Sequence, residues 1–475
     1  MESNQFERLK QMFSQKEQKE NHYDVLIIGA GAAGLAAGQY LKKAGINYMV
    51  LEARDRIGGR VHAIPFGKDQ KLIDLGGQWI HGLGPGAEDI KEWDGKYNPV
   101  YQIAMDNKVE TVKCWLMEER IQKTFWWKGG EVPHDVWGLL EEVKDYLEEH
   151  SENADINESV VSFLSRKFNY ESDSDLQKVY EWVLSYWFSQ DYGADPNKFS
   201  ARYQETDPIF NGTEDVIPES MAKILSILAE GQNIKLNQQI AEIDYQGAQI
   251  KVTTKEDTVY TTKQVIVCVP LPILKAEDIK FVPSLPEIKQ KSIKALGVSQ
   301  MDKLILEFEE VFWDTDVDWF NHISEIPGDW AQTLNIYKYM KRPILMMFNG
   351  EPNTHNFENM SDEEVYECGM KVIRNMFPNA TEPISYVRTN WNKEQFSKGT
   401  FTYIAAGSSP DDCWEIAKPV DNKLFFAGEY AYPHFIGTVN SAMISGEISA
   451  KAVVDHHNQK TMSALSMFYD ADHPF

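Results

Sequence analysis

Residues 24–45 read DVLIIGAGAAGLAAGQYLKKAG, and residues 46–52 read INYMVLE. The apolar run at 24–28 is rich in β-branched residues and predicts a buried strand. Gly29, Gly31 and Gly34 follow at GxGxxG spacing, and a stretch of helical period then closes on Gly45. A second apolar strand ends at Glu52, 18 residues after Gly34. The glycine spacing alone is weak. Set between a strand and a helix, with an acid at the end of the next strand, it specifies a dinucleotide site. Gly29 permits the tight turn, Gly31 lets backbone approach a pyrophosphate, and Gly34 lets helix and strand pack closely. The helix N-terminus, at Ala32 and Ala33, offers free N–H groups and partial positive charge to the phosphates. Glu52, with Ala53 and Arg54 beside it, accepts from ribose hydroxyls.

This βαβ unit suits NAD and FAD equally. The segment ARDRIGGRVHA, 53–63, puts Gly58, Gly59 and Arg60 just past the ribose acid. A second glycine turn and a fixed cation there suit a longer ligand with a further phosphate contact, which favours FAD.

A chain of 475 residues exceeds one hydrophobic core, so two domains or an interleaved pair are expected. Its 72 acidic against 47 basic residues give a net charge of −25. Such a surface repels nucleic acid and anionic lipid and attracts cationic ligands, although acidity for solubility alone is the plainer reading. Cys114, Cys268, Cys368 and Cys413 show neither CxxC nor Cys/His spacing, so no metal site and no disulfide framework is expected. Cys268, inside QVIVCVP, reads as core. No apolar leader and no membrane-length apolar run is present. A cytoplasmic protein is the default, with polar tails at 1–21 and 459–475.

Residues 101–207 change character to helical, acidic and aromatic, as in VWGLLEEVKDYLEEH. Strand patterns return over 233–270. LILEFEEVFW, 304–313, alternates apolar and acidic positions like a half-buried strand. No internal repeat appears, and the alternation predicts interleaved segments.

Further motifs are IIGAGAAGL, LEARDRIGGR, DLGGQWIHG, VIVCVPLPILK, LGVSQMDKLILEFEEVFW, TNW followed by KGTFTYIAAGSS, and FFAGEYAYPHFIGTVNSAMISGE. In this order, from about residue 22 to 456, the chain resembles the FAD-dependent amine oxidases, and among them the polyamine oxidase branch. The resemblance implies an α/β fold of mixed α+β character. A Rossmann-like FAD-binding domain of the glutathione-reductase type (22–100, 208–290 and 390–458) would interleave with a substrate domain (101–207 and 291–389) of mixed sheet flanked by helices.

Carried onto this chain, the resemblance gives Glu52 the adenosine ribose and Arg60 the flavin side of the pyrophosphate or ribityl. Ile240 would meet the adenine through its backbone. Gly428 and Glu429 would contact the ribityl or pyrophosphate, and Thr438 and Val439 the pyrimidine end of the flavin. Gly77, Gln78, Trp79 and Ile80 would run along the flavin and present His81 at the mouth of the catalytic pocket. Lys303 resembles the lysine that reaches flavin N5 through a water, and Trp391 and Tyr403 stand where aromatics line the ring. On local pattern alone Lys303 reads as a surface lysine and Tyr403 as core or a solvated edge, while for His81 a core histidine bonded to a carbonyl is the lesser alternative to one that faces the pocket. A neutral histidine at position 81 can accept a hydrogen bond from an ammonium and take its proton near pH 7.

The chain departs from the family pattern in four places. Gln78 replaces an alanine, Glu394-Gln395 a common Asp-Pro, and Asn211-Gly212 a Gly-Gly, and PGAEDIKEWDGKY is inserted before Asn98. No cysteine accompanies KGTFTYIAAG, so the flavin is expected to be noncovalent. The implied reaction takes a cationic amine and O2 to an aldehyde, a shorter amine and H2O2. Another amine, including a protein lysine, and a silent flavin scaffold stay open as alternatives, as does the oligomeric state.

Overall fold

The computed structural model describes residues 22–87, 90–114, 121–172, 174–204 and 210–458. Both tails, and positions 88 and 89 of the insert, lie outside these. The strand His22–Ile28 pairs in parallel with Tyr48–Leu51 on one side and Val259–Val267 on the other, so that Ile28 stands between Leu51 and Val267. Its apolar run is continuous because both faces are covered. Val25 and Ile27 enter one core, and Leu26 and Ile28 enter the other.

Five more strands complete an eight-stranded sheet. Ile234–Lys235 joins Tyr48–Leu51, and Leu424–Phe426 pairs in parallel with the end of Val259–Val267. Ile240–Asp244 and Ile250–Thr254 form an antiparallel ribbon with Val259–Val267, and Lys280–Val282 closes the far edge. The helices Ala32–Lys43 and Val439–His457 pack together against one face. Close approach is required at Gly34, where a Cβ would lie 1.9 Å from the carbonyl oxygen of Gly29.

The second sheet has six strands in the order Ser385–Arg388, Met301–Glu307, Ile344–Gly350, Gln332–Asn335, Trp319–Ile323 and Gln122–Trp126. All neighbours are antiparallel except the last pair. The amphipathic helix Asp362–Met376, which starts with a capping box of Ser361 and Glu364, covers one face. The opposite face borders the cavity described below.

The half-buried strand expected over 304–313 is instead a central strand that ends at Glu307 and is buried along nearly its whole length. Strands on both edges and layers on both faces enclose it. Its terminal acid is held by Arg342, with Nη2 3.3 Å from Glu307 Oε1, and by the amide of Lys68 at 2.7 Å. The helix expected in VWGLLEEVKDYLEEH spans Val136–His150.

Candidate active site

One cavity runs between the two sheets, and every site residue named from the sequence lines it except Gly34, Ile80 and Tyr403. Its first end is the glycine turn. A Cβ on Gly31 would meet nothing within 4 Å, so the backbone faces open space. The helix Ala32–Lys43 begins there with no side-chain cap and no acid in its first turn, which leaves its amides for a ligand. Glu52 is only 3% exposed, and its carboxylate ties the turn together. Oε2 accepts from the Ala30 amide at 2.7 Å and Oε1 from the Arg54 amide at 2.8 Å. Arg54 pairs with Glu394, one of the departures from the family pattern, and donates to Ser397 Oγ at 2.9 Å. Arg54 Nε and Asn440 Nδ2, on two cavity-lining residues, are buried without a partner, as donors awaiting a ligand would be. This donor set, with its open glycine and uncapped helix, fits a dinucleotide.

Farther along, Arg60 Nη1 lies 2.9 Å from Glu429 Oε1, and Glu429 also accepts from the amide and hydroxyl of Thr402 at 3.2 and 3.0 Å. The helix Val439–His457 starts at Thr438, whose hydroxyl caps Ser441 N at 3.1 Å. A second helix N-terminus therefore meets the cavity. Lys303 is fully enclosed here. Its Nζ donates to the carbonyls of Asp74 (3.1 Å) and Gly76 (2.8 Å) and to Gln78 Oε1 (2.5 Å). Burial pushes the Lys303 ammonium down and the neighbouring Asp74 carboxyl up, each opposed by the other's charge. Asp302, the next residue along the strand, points the other way. Its Oδ1 accepts from Thr389 Oγ1 at 2.8 Å and from Trp391 N at 3.1 Å, and burial pushes its carboxyl up to about 6.

At the other end of the cavity, Trp79–Ile80 pairs with Asp215–Val216 in a small three-stranded sheet. Ile80 lies opposite Asp215, so the next pair outward is His81 and Glu214. His81 Nδ1 is 2.9 Å from Glu214 Oε1, and both residues line the cavity. Trp79 stacks on Trp319 at 6.2 Å, with Phe348 tilted against both. Phe348 also carries the Lys303 ammonium over its ring at 5.6 Å. The helix Asp175–Leu184 runs on into a π-turn, Ser185–Ser189, after which Gln190, Asp191 and Tyr192 reach the cavity.

Two expectations, Ile80 and Tyr403, need correction on position. Ile80 turns away because strand side chains alternate, so Trp79 and His81 face the cavity while Ile80 enters the core. Gly34 lies off the cavity because it packs against Gly29, in keeping with the close helix–strand approach expected of it. Tyr403 is 3% exposed and stacks on Phe199 at 5.2 Å, over a glycine, Gly297, whose missing side chain makes room for its ring. Phe401, two residues earlier, lines the cavity instead. The motif that named Tyr403 contains Phe401, so that signal was present. Glu214, Asp191, Trp319 and Phe348 carry no local signal and come together only through sheet register and the π-turn. Among the described residues no group of three or more His, Cys, Asp or Glu could hold a metal, and no helix is long and apolar enough to cross a membrane.

The family model for flavin containing amine oxidoreductases matches residues 32–454. The chain is 30% identical to polyamine oxidase 2 of Arabidopsis thaliana over 446 residues, which is 90% of this chain and 87% of the relative. It is 29% identical to polyamine oxidase 3 of Oryza sativa subsp. japonica over 451 residues, 91% and 89% of the two chains. A solved putrescine oxidase bound to putrescine shares the fold, with a TM-score of 0.71 at 19% identity, covering 91% of this chain and 99% of that one. A match over residues 32–454, which takes in every strand of the two sheets but the first and nearly all the residues lining the cavity, makes this chain a member of the flavin-containing amine oxidoreductases.

Proposed function

We propose that this amine oxidase acts on polyamines and holds FAD without a covalent bond. The observation that carries this reading is the meeting, in one cavity, of a dinucleotide cradle with Lys303 and the His81–Glu214 pair. Glu52, Ala53 and Arg54 would take the adenosine ribose and Ile240 the adenine. Gly29, Gly31, Ala32 and Ala33 would take the pyrophosphate, with Gly59, Arg60, Gly428 and Glu429 beyond. Gly77, Gln78, Trp79, Trp391, Thr438 and Val439 would surround the ring. FAD held there would supply a two-electron acceptor for the hydride equivalent on the carbon beside the amine, with O2 as the final acceptor and H2O2 as its product. The resulting imine hydrolyses to an aldehyde and a shorter amine.

The protein's part is to bind, orient and deprotonate. A hydride equivalent leaves readily only from beside a neutral amine, so the substrate ammonium must first lose a proton. His81 is suited to take it. Glu214 holds the ring through Nδ1, turns Nε2 away from itself, and stabilises the imidazolium that forms. The carboxylates of Glu214 and Asp191 give this end a field that attracts cations, as does the net charge of −25. Trp79, Trp319, Phe348 and Phe401 offer apolar walls for methylenes and exclude water. The two plant relatives bear the name polyamine oxidase, which agrees with this chemistry.

Cys268 is the one cavity-lining cysteine among the described residues, and it touches Gly29 at the dinucleotide turn, with burial raising its thiol. No thiol is therefore offered to the ring, which supports noncovalent binding. Four unpaired cysteines suit a reducing, cytoplasmic setting. The test is H2O2 release by purified protein from spermine, spermidine, N1-acetylspermine, tyramine and leucine. A polyamine should give the highest kcat/KM, and preference for tyramine or leucine would overturn the reading. Acid precipitation should leave the yellow colour in the supernatant.

A further inference from the structure

The segment inserted before Asn98 is tied down on both sides. The Gly86 amide donates to Lys96 O at 2.8 Å and closes the inserted loop on itself. Asn211 holds it from outside, with its amide 3.0 Å from Gly86 O and its Nδ2 2.9 Å from Pro85 O, and Ala87 bridges to Phe210. The turn Lys91–Trp93 carries the aromatic side chain of the loop. The Trp93 ring meets Phe210 edge-on at 5.1 Å and Phe435 edge-on at 6.3 Å, and the Lys96 ammonium lies over it at 5.5 Å. Trp93 Nε1 donates to the Tyr432 hydroxyl at 3.2 Å, and that hydroxyl donates to the Glu92 carboxylate.

Of these aromatic residues only Phe435 lines the cavity. Its φ is +63°, a left-handed conformation that a bulky residue keeps only where its surroundings fix it. Phe210 stacks on its ring at 4.5 Å and 13°, Tyr432 stacks at 6.4 Å, and the edge of Trp93 adds a third contact. Its carbonyl accepts from the amide and hydroxyl of Thr438 at 3.2 and 2.6 Å, so the same residue is tied to the start of Val439–His457. A Cβ on Gly82 would lie 2.0 Å from Phe210 O, so Phe210 in turn abuts the strap that carries His81. We propose that the insert is a clamp that sets the width of the cavity at Phe435, with Trp93 as the positioning residue, and so confines the site to slender, unbranched amines. The proposal rests on the polyamine reading above. A ring held on three sides cannot turn aside for a bulky N-substituent, whereas a polymethylene chain passes it, and such discrimination by shape is read as a ratio of kcat/KM values.

The experiment measures kcat and KM for spermine and N1-benzylspermine in wild type, Trp93→Ala, Phe435→Ala and the double variant, after FAD content has been checked. Wild type should prefer spermine, and equal use of both amines would overturn the proposal outright. Trp93→Ala should raise the benzylspermine-to-spermine ratio of kcat/KM about tenfold, mostly through KM. Trp93→Phe keeps an aromatic edge and should keep most of the wild-type ratio. The double variant should match Phe435→Ala alone, because Trp93 acts through that ring. An unchanged ratio in Trp93→Ala, with both amines slowed together, would make Trp93 merely structural, and additive shifts in the double variant would also overturn its role. If Trp93→Ala fails to fold, Trp93→Leu is read in the same way. If wild type prefers tyramine or leucine to any polyamine, the polyamine reading fails by itself. The ratio is then taken for the best amine and its N-benzyl derivative, and the same outcomes decide the clamp.

Discussion

At its dinucleotide end the cavity is walled by backbone: the glycine turn, the uncapped start of Ala32–Lys43 and the amides that Glu52 gathers. At the end proposed for the amine it is walled by side chains from distant segments. Trp79 comes from a short strand and His81 from just past its end, Glu214 from just before the neighbouring strand, Lys303, Trp319 and Phe348 from the six-stranded sheet, and Asp191 from beyond a π-turn. Backbone recognition fixes the shape of the chain and therefore its glycine spacing. Side-chain recognition fixes only what meets in space, so each residue is free of its sequence neighbours. A change in the first wall should accordingly cost the cofactor, and a change in the second should cost catalysis while the cofactor stays.

The largest effect should come from Gly34→Ala. Its methyl would sit 1.9 Å from the Gly29 carbonyl and push the turn out of shape. The variant should retain almost no FAD after gel filtration, as read from the visible absorbance per chain. Full occupancy would show that the cradle tolerates a displaced helix. Next, Lys303→Met should keep its FAD and slow flavin reduction or reoxidation by about tenfold or more. Stopped-flow half-reactions equal to wild type would place Lys303 among merely structural residues. The smallest effect belongs to Tyr403→Phe. Its ring stacks on Phe199 outside the cavity, so kcat/KM should stay within about twofold. A tenfold loss would put Tyr403 back beside the flavin.

The same contrast explains how much the sequence discloses. The parallel strands, the glycine turn and Glu52 are local, and each appears as a pattern within about 30 residues. The two-sheet architecture follows from the resemblance, carried by motifs spread along the chain. Tyr403 misleads because its motif also holds Phe401, and only packing against Gly297 and Phe199 decides which ring turns inward. Ile80 misleads because a segment can follow a cavity while alternate side chains leave it. Glu214 is hidden for a third reason. Its bond to His81 depends on the pairing of Trp79–Ile80 with Asp215–Val216, across more than 130 residues of chain. Nor does the strand Met301–Glu307 betray its burial, since its acids at 302 and 307 are paired inside the fold.

The claim that the two walls are separable meets its most direct test in His81→Ala, measured for kcat/KM on a polyamine and for FAD per chain in the same preparation. Removing one positioned acid–base group should lower kcat/KM by roughly ten- to a thousandfold, with FAD content equal to wild type. Unchanged kcat/KM, or a loss of FAD in step with activity, would contradict the account.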